Sequence, residues 1–267
     1  SVVSGVSKGI KWLSEANLVI TSILLIGITL IGPTVYIFST YFSSMGVYFR
    51  DIISSGLYVA IEPNDVVWQG AWTIFYLAWW IAWAPFVGTF IARISKGRTI
   101  RQLALGGLTL PTIVITLSMT ILGASGVKLN ELNNGAIAKA IDSDIAISLF
   151  EMFRYLTESN ILQMALSIVA VIAVMIFFVT SSDSGSLVVC SLTSSGKSTV
   201  PKIQRIFWAF LEGTIAISIL LIGGEAALTT LQSAVIILGL PFSIILLIII
   251  FSLAKELQHS YKKYCQN

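Results

Sequence analysis

The chain has 267 residues, of which 56% are hydrophobic and 11% are charged, and its formal net charge is +3. Soluble domains carry about 25% charged residues, so this composition excludes an ordinary soluble domain and indicates a protein that lies mostly within a bilayer. The small net charge gives no reason to expect a nucleic-acid partner.

Six stretches are long and apolar enough to cross a membrane, because a bilayer core needs about 20 residues of helix. An all-α integral membrane fold is therefore predicted. A carboxylate at membrane depth must face the protein interior or water, so Glu212 in the fifth span is expected to bond a neighbouring helix or to serve transport. We prefer the hydrogen bond between packed helices. The predicted spans are residues 18–38, 66–92, 102–127, 159–182, 206–224 and 226–254.

The basic residues predict the orientation of these spans. With residues 1–16 placed inside, the inner loops hold twelve of the 16 Lys and Arg residues, including Lys8 and Lys197. Cytoplasmic loops are the ones enriched in basic residues, so both ends of the chain are expected in the cytoplasm and the protein in the inner (plasma) membrane. The four basic residues placed outside are Arg50, Lys128, Lys139 and Arg154.

Two segments on the predicted outer side are long enough to form helices of their own. Residues 42–60 carry their apolar side chains near one helical face, which is typical of a helix lying along the membrane surface. Residues 143–157 begin with Ser143 and Asp144, a signal for a helix N-cap, and have a similar pattern.

Large aromatic side chains are concentrated in the second span. At about 100° per residue, Trp72, Tyr76, Trp79, Trp80 and Trp83 share an arc of about 100° on a helix. Such an arc forms either one wall of a cavity or a seam between packed helices. Ring faces attract a quaternary ammonium, which has no N–H to donate, through cation–π contacts. Membrane helices usually pack through small residues, which favours the binding-site interpretation.

The sequence from Trp72 to Thr99, WTIFYLAWWIAWAPFVGTFIARISKGRT, closely resembles the signature of the betaine/choline/carnitine transporter family. The resemblance implies that Trp79 and Trp80 belong to a central aromatic box, with Trp83 and Tyr76 along the permeation path. Leu77 departs from the family pattern, in which many members have another tryptophan, but it lies off the aromatic face of the helix.

The family resemblance also implies an architecture of two inverted five-helix repeats in a homotrimer. Residues 1–41 would then hold the last helix of the first repeat and residues 42–62 a connecting helix on the outer surface. Residues 63–254 would form the second repeat, followed by a cytoplasmic tail over residues 255–267. Since the chain starts at Ser1 without a methionine, we expect the rest of the N-terminal repeat to be missing from it.

A polar run, FFVTSSDSGS, occupies residues 177–186 at the end of the fourth span. Taken alone, it predicts a helix C-terminus with Asp183 or Ser184 capping the next segment. A helix interruption that coordinates sodium is the alternative. The resemblance favours sodium, with ligands from the Phe177 carbonyl, Thr180 and Ser181. For both adjacent hydroxyls to reach one ion, the helix must end or loosen here.

Two further positions bear on ion coupling through the resemblance alone. Phe86 matches a position near a proposed second sodium site. Val87 lies where sodium-independent exchangers of the family tend to place a methionine, so its identity favours sodium coupling.

The predicted function is secondary active transport, by alternating access, of a quaternary-ammonium osmolyte such as glycine betaine, choline or carnitine. Sodium is the expected coupling ion, and the bilayer is the other partner. Within the family, a proton-coupled choline importer or a sodium-independent antiporter remains open. A non-transporting membrane fragment or receptor is the alternative from another class. An enzyme is not expected, because the sequence has no Ser/His/Asp set, no HExxH motif and no phosphate loop, and no cofactor is expected either.

Overall fold

The computed structural model describes residues 9–194 and 201–266, and these form helices without any strand. Within these residues, six helical stretches are long and apolar enough to span a bilayer, which confirms the predicted number and makes this a multi-pass membrane protein. Lys8 and Lys197, used above to orient the spans, lie outside the described residues. The six stretches are Lys11–Ile31, Pro63–Ala92, Ile100–Leu132, Asn160–Thr193, Lys202–Gly224 and Thr229–Lys262.

The helices follow one another closely along the chain. Besides the α-helices, there is a π-helical turn at Gly70–Ile74 and a 3₁₀ turn at Ile145–Ile147. The α-helices are α1 (Lys11–Ile31), α2 (Thr34–Gly56), α3 (Pro63–Gln69), α4 (Phe75–Ile94), α5 (Ile100–Leu132), α6 (Ala136–Ser143), α7 (Ser148–Leu156), α8 (Asn160–Thr193) and α9 (Lys202–Gln266).

The first span ends earlier than predicted. A single helix over residues 18–38 was expected, whereas α1 ends at Ile31 and α2 begins at Thr34. Gly32 lies between them with an extended backbone, φ −84° and ψ −166°. The cause is Pro33, which disfavours the helical conformation of the residue before it and has no N–H to continue the helix. The predicted helix within residues 42–60 is therefore the continuation of α2.

The chain divides into two compact units, and the first comprises residues 1–57 and 97–184. Its core lies where α1, α2, α5, α7 and α8 meet. Ile28, Ile37 and Phe153 are completely buried there. These three side chains come from α1, α2 and α7, so the short helices pack against the long ones.

Local capping signals position the shorter segments of the first unit. Thr99 and Gln102 form a capping box at the start of α5, each side chain bonding the backbone N–H of the other. The Asp144 carboxylate accepts the N–H of Ala146 at 2.8 Å, which caps the 3₁₀ turn that leads into α7. The predicted capping role of Asp144 is confirmed, but it caps the 3₁₀ turn only, because α6 extends to Ser143 and α7 begins at Ser148.

The second unit comprises residues 58–96 and 185–267. In it, α4 packs along α9, which contains the last two spans. Gly224 separates these spans because its backbone, with φ 49° and ψ −134°, leaves the helical conformation at the predicted boundary. Only glycine adopts such a conformation without strain. Further along α9, Gly239 approaches α4 so closely that an added Cβ would lie 2.7 Å from the Cβ of Ala78.

Candidate functional site

The aromatic residues of the second span follow a wide helical turn. Gly70–Ile74 is π-helical and α4 begins at Phe75, so the turn contains one more residue than an α-helix would use. Pro85 lies in the middle of α4 and has no N–H for the carbonyl of Ile81. Thr89 donates its hydroxyl to the carbonyl of Pro85 at 2.8 Å. The aromatic stretch thus lies between two irregular points of one helix.

All four residues predicted to bind substrate line one cavity of about 600 Å³ on α4. They are Tyr76, Trp79, Trp80 and Trp83. Leu77, predicted to lie off the aromatic face, is not among the lining residues. The cavity continues along the same face towards the end of α4, where it is lined by Ala84, Val87, Gly88 and Ile91. Of these, only Val87 was named above, although the helical spacing predicts the other three as well.

Ring contacts along the helix hold the aromatic side chains of this wall. Trp72 stacks on Tyr76 with ring centroids 5.9 Å apart and planes inclined by 12°. The Trp79 ring lies 5.5 Å from that of Phe75 and 6.0 Å from that of Tyr76. Such pairs are stabilising beyond the area that they bury. Trp72 therefore supports the cavity through Tyr76 rather than lining it.

The polar run at the end of the fourth span does not interrupt its helix. The sequence predicted an end or a loosening near residues 181–185, whereas α8 continues to Thr193, with Asp183 and Ser184 inside it. The expected cap at Asp183 or Ser184 is therefore wrong. The reason is that the hydroxyls bond back to their own helix: Ser184 donates to the carbonyl of Thr180 at 2.7 Å. Hydroxyls used in this way satisfy the backbone without opening it.

Two of the three predicted sodium ligands, the Phe177 carbonyl and the Thr180 hydroxyl, lie next to each other on α8. The hydroxyl of Thr180 donates to the carbonyls of Ile176, at 3.0 Å, and Phe177, at 3.1 Å. With its proton directed to the helix, the Thr180 oxygen keeps its lone pairs for another partner. Ser181 is exposed and lies about 100° further around the helix.

Phe177 and Thr180 line a second cavity, of about 620 Å³, within the first unit. Its other walls come from α1 and α5, with Leu149 contributed by α7. The α1 wall is mixed: Leu18, Leu24 and Leu25 line the cavity beside the polar residues Ser14, Asn17, Thr21 and Ser22. Ser181 is not among the lining residues, so the structure does not bring all three predicted ligands together.

Phe86, the candidate for a second sodium site, lies in the second unit. Its ring contacts that of Trp83 edge to face, with centroids 5.4 Å apart. An added Cβ on Gly185 would lie 3.9 Å from the Phe86 ring and 3.7 Å from the Glu212 carboxylate. That carboxylate accepts a hydrogen bond from Ser186 at 3.0 Å. Glu212 therefore has the helix-to-helix hydrogen bond that we preferred for it.

A metal site built on charged ligands is not present in this part of the chain. Among residues 9–194 and 201–266, no three or more His, Cys, Asp or Glu side chains come together. A hard cation bound by these residues would therefore rely mainly on neutral oxygen atoms, such as those of Thr180 and Phe177.

Comparison with known proteins gives consistent matches along the chain. The family described as BCCT, betaine/carnitine/choline family transporter, matches residues 1–262. Glycine betaine transporter 1 of Vibrio parahaemolyticus is 43% identical over 255 residues, which is 95% of this chain and 47% of that protein. The glycine betaine/proline/choline/ectoine transporter of the same species is 41% identical over 266 residues, 99% of this chain and 46% of that protein.

A third relative extends the range of named substrates. The ectoine/hydroxyectoine transporter of Virgibacillus pantothenticus is 38% identical over 260 residues, 97% of this chain and 50% of that protein. The chain thus spans about half the length of the curated relatives that it matches. All three relatives are named as transporters and none as an enzyme, which confirms the prediction of a transporter and not an enzyme.

Proposed function

Because the chain belongs to the betaine/carnitine/choline transporter family, we propose that the complete protein imports a quaternary-ammonium osmolyte and couples this import to sodium. The single observation that carries the proposal is the cavity formed by Tyr76, Trp79, Trp80 and Trp83. Its volume, about 600 Å³, lies in the range of small-molecule sites, about 300–1,000 Å³.

The chemistry of this wall suits a trimethylammonium group. No charged side chain is among the described residues that line the cavity, so a cation there is attracted by ring faces and not by a carboxylate. Each desolvated ring contributes about 0.5–2 kcal/mol to such an attraction. The indole N–H groups of the tryptophans and the hydroxyl of Tyr76 are available to a carboxylate on the same molecule. A zwitterion such as glycine betaine has both groups, a trimethylammonium for the ring faces and a carboxylate for the N–H and O–H donors.

Sodium coupling rests on a different part of the molecule. The Thr180 hydroxyl oxygen lies 3.1 Å from the Phe177 carbonyl, and both are neutral oxygens of the kind that hold the hard sodium ion at helix interruptions in transporters. The Phe177 carbonyl accepts the Thr180 hydroxyl within a continuous α8, so it would bind sodium only if α8 loosens. The family resemblance also includes Ser181, which would join them only if α8 loosens. Val87 lines the aromatic cavity without a sulfur atom, in keeping with a sodium-dependent member.

Several features of the complete protein follow from the family and remain part of the proposal. The length of the relatives that this chain does not cover would supply the opposite wall of the aromatic cavity and further sodium ligands. A homotrimer with both ends of this chain in the cytoplasm is the assembly that we propose. Impermeant thiol labelling of intact cells should then mark Lys139→Cys but not Lys255→Cys, and the reverse pattern would refute this orientation.

The decisive experiment replaces one ring at a time in the full-length protein. Trp79→Ala should weaken glycine betaine binding about tenfold, because one desolvated ring contributes about 1–2 kcal/mol. Trp80→Ala should behave in the same way, and the corresponding phenylalanine variants should retain part of the affinity. Leu77→Ala is the matched control, since Leu77 is a large apolar residue two positions before Trp79 and does not line the cavity. Equal affinity in all of these variants would show that the tryptophans only pack.

Competition assays separate the candidate substrates and mechanisms. An isostere with a tert-butyl group in place of trimethylammonium should bind far more weakly, because it lacks the charge that the rings attract. Choline, carnitine, proline and ectoine should be compared in the same assay, since relatives carry proline, choline and ectoine in their names. Uptake driven by a proton gradient, or exchange without any ion gradient, would instead favour the importer and antiporter alternatives.

A further inference from the structure

The α1 wall of the cavity that contains Phe177 and Thr180 holds two buried oxygen atoms without a partner. Asn17 is 2% exposed, and its Oδ1 accepts no hydrogen bond. The Thr21 hydroxyl, one helical turn further, is likewise buried and has no partner. Buried polar atoms are nearly always paired, so two of them in one cavity require an explanation.

Other hydroxyls near this cavity do have hydrogen-bond partners, so the lack of a partner at Thr21 is not general in this region. Thr29 on the same helix donates to the carbonyl of Leu25 at 2.7 Å. Ser118, across the cavity on α5, donates to the carbonyl of Val114 at 2.6 Å. Thr180 also bonds back to its own helix. Thr21 makes no such bond, although the carbonyl one turn before it, that of Asn17, is in the usual position for one.

We propose that Asn17 and Thr21 are oxygen ligands for a sodium ion in this cavity, together with Thr180. The inference rests on the proposed sodium coupling and adds α1 to the elements that bind the ion. Asn17 and Thr21 are four residues apart and therefore lie on one face, about 5–6 Å from each other. Thr180 lines the same cavity from α8, and its hydroxyl proton is donated to its own helix.

The chemistry of the cavity selects a monovalent hard cation. Amide and hydroxyl oxygens are hard, neutral ligands, which suit sodium, whereas calcium sites usually include several carboxylates. Among the described residues that line this cavity, none is charged. Apolar side chains such as Leu25, Val114 and Ala170 line the rest. Among the described lining residues, a single positive charge finds polar side chains at Asn17, Thr21, Thr180 and the three serines, Ser14, Ser22 and Ser118.

The test measures the sodium dependence of uptake by the full-length protein in proteoliposomes. Asn17→Leu and the nearly isosteric Thr21→Val should each raise the sodium concentration for half-maximal uptake about three- to tenfold. The substrate concentration that gives half-maximal uptake, measured at saturating sodium, should remain unchanged. Thr29→Val is the matched control, because it removes a hydroxyl from the same helix that is already bonded outside the cavity.

A variant that adds a negative charge gives a second measurement, the sodium dependence of thermal stability, which a purely structural role of Asn17 would leave unchanged. Asn17→Asp should make the thermal stability of the purified protein depend more strongly on sodium than that of the wild type, with potassium as the comparison. If both α1 variants match Thr29→Val and Asn17→Asp shows equal stability in sodium and potassium, the oxygens hold water and the inference is wrong.

The same assays distinguish the failure of this inference from failure of the proposed function. If wild-type uptake depends on sodium and Thr180→Val weakens that dependence while the α1 variants do not, only the role of α1 is refuted. If wild-type uptake continues unchanged without sodium, the proposed coupling is refuted, and the inference falls with it.

Discussion

The contact between Gly239 and Ala78 makes the position of the aromatic helix sensitive to a single methyl group. A Cβ on Gly239 would lie 2.7 Å from the Cβ of Ala78 and 2.9 Å from its Cα. Carbon atoms in contact are about 3.5–4.0 Å apart, so α4 and α9 must separate by about 1 Å to accept Gly239→Ala. Overpacking of this kind costs about 1–3 kcal/mol.

Gly213→Ala is the control for this change. Gly213 lies in the preceding span, on the other side of Gly224, and an added Cβ there would meet no atom within 4 Å. Both variants gain the same helix propensity, about 1 kcal/mol, so the difference between them isolates the clash. The expected result is a lower thermal unfolding midpoint for Gly239→Ala than for Gly213→Ala in the full-length protein. Because Ala78 immediately precedes Trp79, Gly239→Ala should also weaken substrate binding.

A compensating substitution sharpens this test. Ala78→Gly removes the Cβ at 2.7 Å but leaves the Cα at 2.9 Å, so it should restore part of the stability lost in Gly239→Ala. Equal midpoints and equal substrate affinities for Gly239→Ala and Gly213→Ala would refute the close approach of these helices.

Three further predictions concern other parts of the chain. Thr180→Ala should raise the sodium requirement of uptake more than Ser181→Ala does, because only Thr180 lines the cavity; equal effects would contradict this. Thr99→Ala should cost about 1 kcal/mol in thermal stability through the lost capping box, compared with alanine at an exposed threonine inside the same helix. The carboxylate of Asp65 accepts the hydroxyl of Tyr58 at 3.0 Å and raises the pKa of Tyr58. Since the folded pKa is the higher one, the stability difference between wild type and Tyr58→Phe should persist at neutral pH and vanish only as alkaline pH ionises the tyrosine.

Features that depend on one continuous stretch of sequence were predicted well. The number of spans follows from apolar length alone, and the six helical stretches agree with it. The aromatic wall also depends on local geometry, since Tyr76, Trp79, Trp80 and Trp83 lie on a single helix. Helical spacing is therefore sufficient to bring these residues together, whatever the rest of the protein does.

Predictions failed where two local effects compete. Residues 18–38 are uniformly apolar, but one proline within them ends the helix, because the steric effect of Pro33 outweighs the hydropathy. In residues 177–186 the opposite occurs. The hydroxyls were expected to open the helix, whereas Thr180 and Ser184 bond to carbonyls one turn back and leave it continuous.

Contacts between distant parts of the chain were beyond the reach of sequence reasoning. Nothing in the sequence near Gly239 indicates that this glycine, among 20, is the one that meets Ala78. Likewise, Asn17 and Thr21 are ordinary polar residues of an apolar helix until folding places them in one cavity with Thr180. Such pairings depend on tertiary packing, which hydropathy and periodicity do not encode.

The wide turn at Gly70–Ile74 sets the side of the helix on which the aromatic wall lies, whereas the apolar length of the span does not. Because a π-turn contains one residue more than an α-turn, it rotates everything that follows by about 100° relative to α3. Deleting one residue from this turn would leave a segment long enough to cross the bilayer, yet would swing Trp79 and Trp80 to another side of the helix. A change of one codon at this place would thus redirect the cavity while hydropathy stayed the same.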